Sequence, residues 1–112
     1  MNCKIKSRIW IELDGEEFLG EGKIQLLKAI GETGSLSKAA KSIHISYKKA
    51  WHLMDAVNKT SKKPVTINTI GGKGGGGTEL TPYGKSLISA FDDMNKKCWE
   101  FLDIQLEKIK SL

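Results

Sequence analysis

Between Gly34 and Asn58 the chain reads GSLSKAAKSIHISYKKAWHLMDAVN, and no other stretch limits the fold as strongly. Ser35 can cap a helix by accepting an orphan amide at its start. Leu36, Ala39, Ala40 and Ile43 follow at helical spacing, and the Ala39-Ala40 pair is small enough for two helices to approach closely. Ile43-His44-Ile45 breaks the pattern with β-branched residues and a short turn. Ser46 can cap a second helix whose buried stripe is Ala50, Leu53, Met54 and Val57. The remaining face carries Lys48, Lys49, His52 and Asp55, with Tyr47 and Trp51 on its flanks. Two short helices joined by a tight turn are expected, a helix-turn-helix; a plain helical hairpin in some other core is the alternative.

The segments around it extend this reading. Lys4 to Leu13 alternates, with Ile5, Ser7, Ile9, Ile11 and Leu13 on one side and Lys4, Lys6, Arg8, Trp10 and Glu12 on the other. That predicts a half-buried strand. Asp14-Gly15 is a hairpin signal, returning the chain as a short strand over Glu16 to Leu19. Trp10, on the more polar face, covers either a dimer contact or a surface patch. After Gly20 a helix is expected with Ile24, Leu27 and Ile30 inward and Leu26 beside them, ending near Gly34.

Beyond the second helix, Val65 to Ile70 is strand-like, and a glycine run from Gly71 to Gly77, interrupted by Lys73, leads into Thr78-Glu79-Leu80-Thr81. Strand, glycine loop and strand make a β-hairpin, the wing of a winged helix-turn-helix; a linker is the alternative. The loop is not a P-loop, because Lys73 is followed by Gly and not by Ser or Thr. Thr81-Pro82 opens the last helix as cap and first helical residue. Leu87, Phe91, Met94, Cys98, Leu102 and Ile109 recur along it at helical steps, with Ile88 and Leu106 among them and Trp99, Phe101 and Ile104 widening the stripe. A helix from Pro82 to Ile109 is roughly 40 Å long. One small domain is not expected to cover so much apolar surface, so Leu87, Phe91, Met94, Cys98, Leu102 and Ile109 are the candidate dimer contacts; folding back onto its own domain is the alternative. The expected architecture is α+β, mainly α, in one domain over 1–112: a β-hairpin (1–19), a winged helix (20–81) and a dimerisation helix (82–110).

Charge indicates a partner class. The chain has 112 residues and a formal charge of +5, with pI near 9.2, which favours an anionic partner. Lys38, Lys41, Lys48, Lys49, Lys59, Lys62, Lys63 and Lys73 crowd the middle, where Asp55 is the only acid between Glu32 and Glu79. A basic helix-turn-helix with a wing points to sequence-specific binding of double-stranded DNA; a winged helix used only for protein contacts is the alternative. Candidate DNA contacts are Ser35 and Ser37 at the first helix start, Ser46, Tyr47, Lys48, Lys49, Trp51 and His52 on the second helix, and Gly72, Lys73, Gly74, Gly75 and Thr78 in the wing. No nucleophile or acid/base constellation suggests an enzyme, so no catalytic residue is assigned. Cys3 and Cys98 stand in no ligand spacing and read as reduced thiols; His44 and His52 have no thiol nearby. Neither a metal nor another cofactor is expected. No stretch has the length of a membrane span, and the start is not a signal peptide, so a cytoplasmic protein is expected.

The pieces Gly34-Ser35-Leu36-Ser37, Ala39-Ala40, Ile45-Ser46-Tyr47-Lys48, Ala50-Trp51, Gly71 to Gly77 and Leu80-Thr81-x-Tyr83-Gly84 together resemble the DNA-binding domain of the ModE family. These are molybdate-responsive transcription regulators whose winged helix is related to that of LysR-type regulators. The resemblance runs from about Gly22 to Leu102. It implies a homodimer on a partly palindromic operator near molybdate-transport or molybdoenzyme genes. It assigns the helix-turn-helix role to Ser46, Tyr47, Lys48, Lys49, Trp51 and His52, and the wing role to Gly72 through Thr78. Full-length members also carry a C-terminal domain that binds molybdate or tungstate. Nothing here resembles that oxyanion pocket, so molybdate is not expected to bind this chain alone.

Overall fold

Asp14 and Gly15 both have positive φ, 52° and 84°, the backbone that a tight hairpin between right-twisted strands requires. They connect β1 (Ile11–Leu13) to its antiparallel partner β2 (Glu16–Leu19). The structure, a computed structural model, describes residues 2–70 and 77–112. The elements that follow are α1 (Glu21–Thr33), α2 (Leu36–Ser42), α3 (Tyr47–Thr60), β3 (Thr66–Thr69), β4 (Gly77–Leu80) and α4 (Pro82–Lys110). This is the α+β arrangement expected, a helix-turn-helix followed by a hairpin and a long last helix. Among the described residues, no helix is long and apolar enough to cross a membrane.

Local chemistry sets the boundaries. Gly34 ends α1 in the left-handed conformation (φ 69°), its amide donating to Ile30 O at 2.8 Å. Ser35 Oγ accepts from Lys38 N at 3.2 Å and Ser46 Oγ from Lys49 N at 3.0 Å, so both helices of the motif carry the caps anticipated. Between them His44 takes φ 60°, and Ile45 N donates to Ala40 O at 3.0 Å, closing the turn. Ala39, Ala40 and Ala50 are buried at the α2–α3 crossing, around which Leu26, Leu27, Ile30, Val57, Val65 and Phe91 complete the core. Lys23 is buried too, its ammonium donating to Glu17 O at 2.5 Å and tying α1 to the first hairpin.

The expected strand over Lys4 to Leu13 shortens to Ile11–Leu13, because β2 spans only Glu16–Leu19 and pairs no further back. Alternation survives without a ladder. Ile5, Ser7, Ile9 and Ile11 are half-buried, while Lys4, Lys6, Arg8 and Trp10 are exposed. The covered side lies along α4. Ser7 and Ile9 sit beside Phe91, Asn95 and Trp99, and Cys3 and Ile5 beside Trp99, Leu106 and Lys110. The segment thus runs antiparallel to the helix, with Ser7 Oγ 4.0 Å from Cys98 Sγ. Leu13, at the hairpin turn, is exposed and does not join the inner face.

This arm covers part of the α4 stripe from within the chain. Of the candidate dimer contacts, Phe91 is instead buried in the core of this fold, and Leu106, also on the stripe, is buried beside the arm. Leu87, Cys98 and Leu102 are half-buried. Met94, Phe101, Ile104 and Ile109 stay exposed, at 46%, 60%, 65% and 62%.

The wing strands pair Thr66 with Leu80 and Thr69 with Gly77, slightly inside the predicted Val65 to Ile70. Thr81 joins wing to helix: its hydroxyl accepts from Gly84 N at 3.0 Å and donates to Pro64 O at 2.6 Å, while Thr81 N donates to Val65 O at 3.0 Å. Gly84 lies so close to Val65 that a Cβ would run into the Val65 carbonyl. Gly84→Ala is therefore expected to cost about 1–3 kcal/mol by overpacking, read as a lower denaturant midpoint with native helix content. Ser46→Ala, which removes the α3 cap, is expected to cost about 1 kcal/mol. A thermal melt unchanged within error would show that the cap contributes nothing.

Candidate nucleic-acid interface

Helix α3 divides cleanly between core and solvent. Ala50, Met54 and Val57 are buried, whereas Ser46, Tyr47, Lys48, Lys49, Trp51 and His52 are all exposed. The six helix candidates thus share the accessible side of the first turns. Ser46 uses its oxygen lone pair as a cap, leaving its O–H free to donate outward. There is no acid in the first turn, so the positive end of the helix dipole and two lysine ammonium groups act together at this end. Asp55, the one acid of the helix, pairs with Lys59 at 2.8 Å, which offsets its charge locally. The Trp51 and His52 rings meet edge to face, centroids 5.4 Å apart at 84°, a favourable aromatic geometry.

The wing and the motif meet in two adjoining grooves. One has Ser35, Leu36, Ser37 and Tyr47 on one wall and Asn68, Thr69, Gly77 and Thr78 on the other. The second runs from Trp51, Met54, Asp55 and Asn58 to Thr66, Asn68 and Thr78. Docking of β4 on the α1–α2 corner makes this possible: Thr78 N donates to Gly34 O at 3.0 Å, and Gly77 N to Thr69 Oγ1 at 2.8 Å. A Cβ at Gly77 would stand 2.5 Å from Gly34 O, so the absent side chain permits the contact. Ser35, Ser37 and Tyr47 are therefore gathered with the wing around one depression, and Trp51 opens onto the next.

Two placements differ from the sequence reading. Thr78 is only 8% exposed; it lines the floor between wing and helices, and its side chain is not a surface contact. It shares a sheet face with Asn68, its register partner, and is covered where β4 docks on Gly34. Ser35 is half-buried, with its oxygen already engaged by Lys38 N. Gly72, Lys73, Gly74 and Gly75 lie outside the described residues. Asn68, exposed and bordering both grooves, was not anticipated. The signal was present in Thr66 and Asn68, which stand two apart and so share a strand face. Only the docking of the wing reveals that this face looks toward α3. Lys38, Lys41, Lys62 and Lys63 are exposed and extend the cationic surface around the motif.

No protein-family model matches the chain. It is 32% identical over 106 residues to the molybdenum transport protein ModE of Azotobacter vinelandii, covering 95% of this chain and 39% of the relative. It is 42% identical over 82 residues to the DNA-binding transcriptional dual regulator ModE of Escherichia coli, covering 73% and 31%. It is 47% identical over 73 residues to the molybdenum-pterin-binding protein MopB of Rhodobacter capsulatus, covering 65% and 27%. The chain thus spans about a third of the length of the curated relatives it matches. Across that shared stretch the chain is similar to proteins named ModE.

Proposed function

We propose that this chain is a DNA-binding winged helix of a transcriptional regulator, related in role to the molybdate-responsive ModE proteins, and that it reads a major groove with the outer side of α3. The observation that carries the reading is the exposure of Tyr47, Lys48, Lys49, Trp51 and His52 on one side of a helix whose other side is core. Lys48 and Lys49 supply cationic donors, His52 a ring N–H or acceptor, and Tyr47 and Trp51 apolar bodies with one polar atom each. The names of the relatives support a role in transcription.

DNA recovered with the purified protein and sequenced supplies the operator for the test. Lys48→Ala and His52→Ala are expected to weaken operator binding by about 1–3 kcal/mol each, measured by fluorescence anisotropy. Neither side chain is in the core, so melting temperature should hold. Unchanged operator affinity in both variants would reject this face of α3 as the reading surface.

The same proposal includes a symmetric dimer through α4. Met94, Phe101 and Ile104 are exposed along one side at steps of seven and three, the spacing of a helix–helix seam. Two copies would present their α3 helices to successive major grooves roughly 34 Å apart, on an inverted repeat. Met94→Glu or Phe101→Glu should give a monomer that keeps its fold and loses operator binding far more than non-specific binding. A wild-type monomer in light scattering at tens of micromolar would reject the dimer.

A further inference from the structure

Asn58, near the end of α3, reaches across to the start of the wing. Its side-chain carbonyl accepts from Val65 N at 2.8 Å and from Thr66 N at 3.3 Å, and its amide donates to Thr66 Oγ1 at 3.0 Å. Both lone-pair directions and one N–H of a single amide are used on Val65, just before β3, and on Thr66, its first residue. Val65 and Thr66 are buried, so these backbone amides have no water to replace the carbonyl. The other strand is held elsewhere, through Thr78 N to Gly34 O at 3.0 Å. From α3 itself, the hydrogen bonds that reach β3 come from Asn58 alone among the described residues.

We infer that Asn58 is a positioning residue that sets the angle between the wing and α3, so that both reach one DNA duplex together. It touches no DNA in this scheme. Its effect is to fix the wing before binding, so that the ordering cost is not met at the moment of association. The functional half of the inference rests on the DNA-binding reading above; the orientation half does not. The geometry also specifies the residue type. An aspartate keeps two acceptor oxygens for the two amides and can accept from the Thr66 hydroxyl. A leucine of similar size keeps the packing and offers no acceptor.

The test compares wild type, Asn58→Asp and Asn58→Leu, with Thr66→Val removing only the hydroxyl contact should Asn58→Leu not fold. Residual dipolar couplings of the free protein report the orientation of the Thr66–Thr69 and Gly77–Leu80 amides relative to those of Tyr47–Thr60. Asn58→Leu should change the wing orientation and leave α3 on the core unaltered; Asn58→Asp should restore it; Thr66→Val should give a smaller change of the same sense. Operator affinity should fall about tenfold in Asn58→Leu, with a shallower salt dependence as wing contacts are lost, and return to within about twofold of wild type in Asn58→Asp. Wild-type couplings in Asn58→Leu, or in Thr66→Val where Asn58→Leu does not fold, would overturn the inference. So would a reoriented wing with unchanged operator affinity. Failure of wild type to bind any DNA would instead reject the DNA-binding reading, while the couplings alone still decide whether Asn58 holds the wing.

Discussion

Everything that α3 offers to solvent depends on how closely α2 and α3 approach on the other side. Ala39, Ala40 and Ala50 are at most 1% exposed, and larger side chains there would push the helices apart in a core packed at crystal-like density. With the alanine seam in place, Met54 and Val57 reach the core and α3 has a single possible rotation about its axis. That rotation points Lys48, Lys49 and His52 outward as a set. The accessible face is thus a consequence of what the buried face requires.

The wing is secured by the same economy of small groups. Gly77 lets β4 approach Gly34 O, and Gly84 lets α4 approach Val65. Between these two contacts Thr81 serves both as helix cap and as a bridge to Pro64 and Val65. A hairpin of two four-residue strands would be marginal alone. Here it gains order from α1, α3 and α4, each touching a different part of it. The grooves beside Tyr47 and Trp51 are the spaces left between those attachments.

The caps and turns were legible because each depends on residues close in sequence. Ser35, Ser46, Thr81-Pro82 and Asp14-Gly15 act within about four residues of themselves, and all are found in their expected roles. The burial of α3 was legible for a similar reason, since helical periodicity is a local property. What could not be read depends on a distant surface. Alternation over Ile5, Ser7 and Ile9 reports an environment that differs from side to side. A strand ladder and the flank of a helix both provide one, and only the fold shows that α4 does so here. Thr78 and Asn68 are neighbours in the wing register, and the docking of β4 on Gly34 decides which of them is buried. Asn58 finds its partners seven and eight residues on, across a turn whose path the sequence does not specify.

Helix α4 shows why a broad apolar stripe is ambiguous on its own. A helix facing one core needs an apolar arc of somewhat more than 100°. From Leu87 to Ile109 the apolar residues span far more, because steps of three and four accumulate on both flanks. The protomer takes one flank: Phe91 enters the core, and the arm through Ile5 and Ser7 covers Leu106 and approaches Cys98. Met94, Phe101 and Ile104 lie on the other flank, and the arm does not reach them. A sequence pattern can sum a covered flank and an exposed one into a single stripe, and the division between them is visible only once the first has been covered. The alternating arm performs that division, with its apolar residues toward α4 and Lys4, Lys6 and Arg8 toward solvent. It therefore adds to the cationic exterior while reducing the surface a second copy would need to cover.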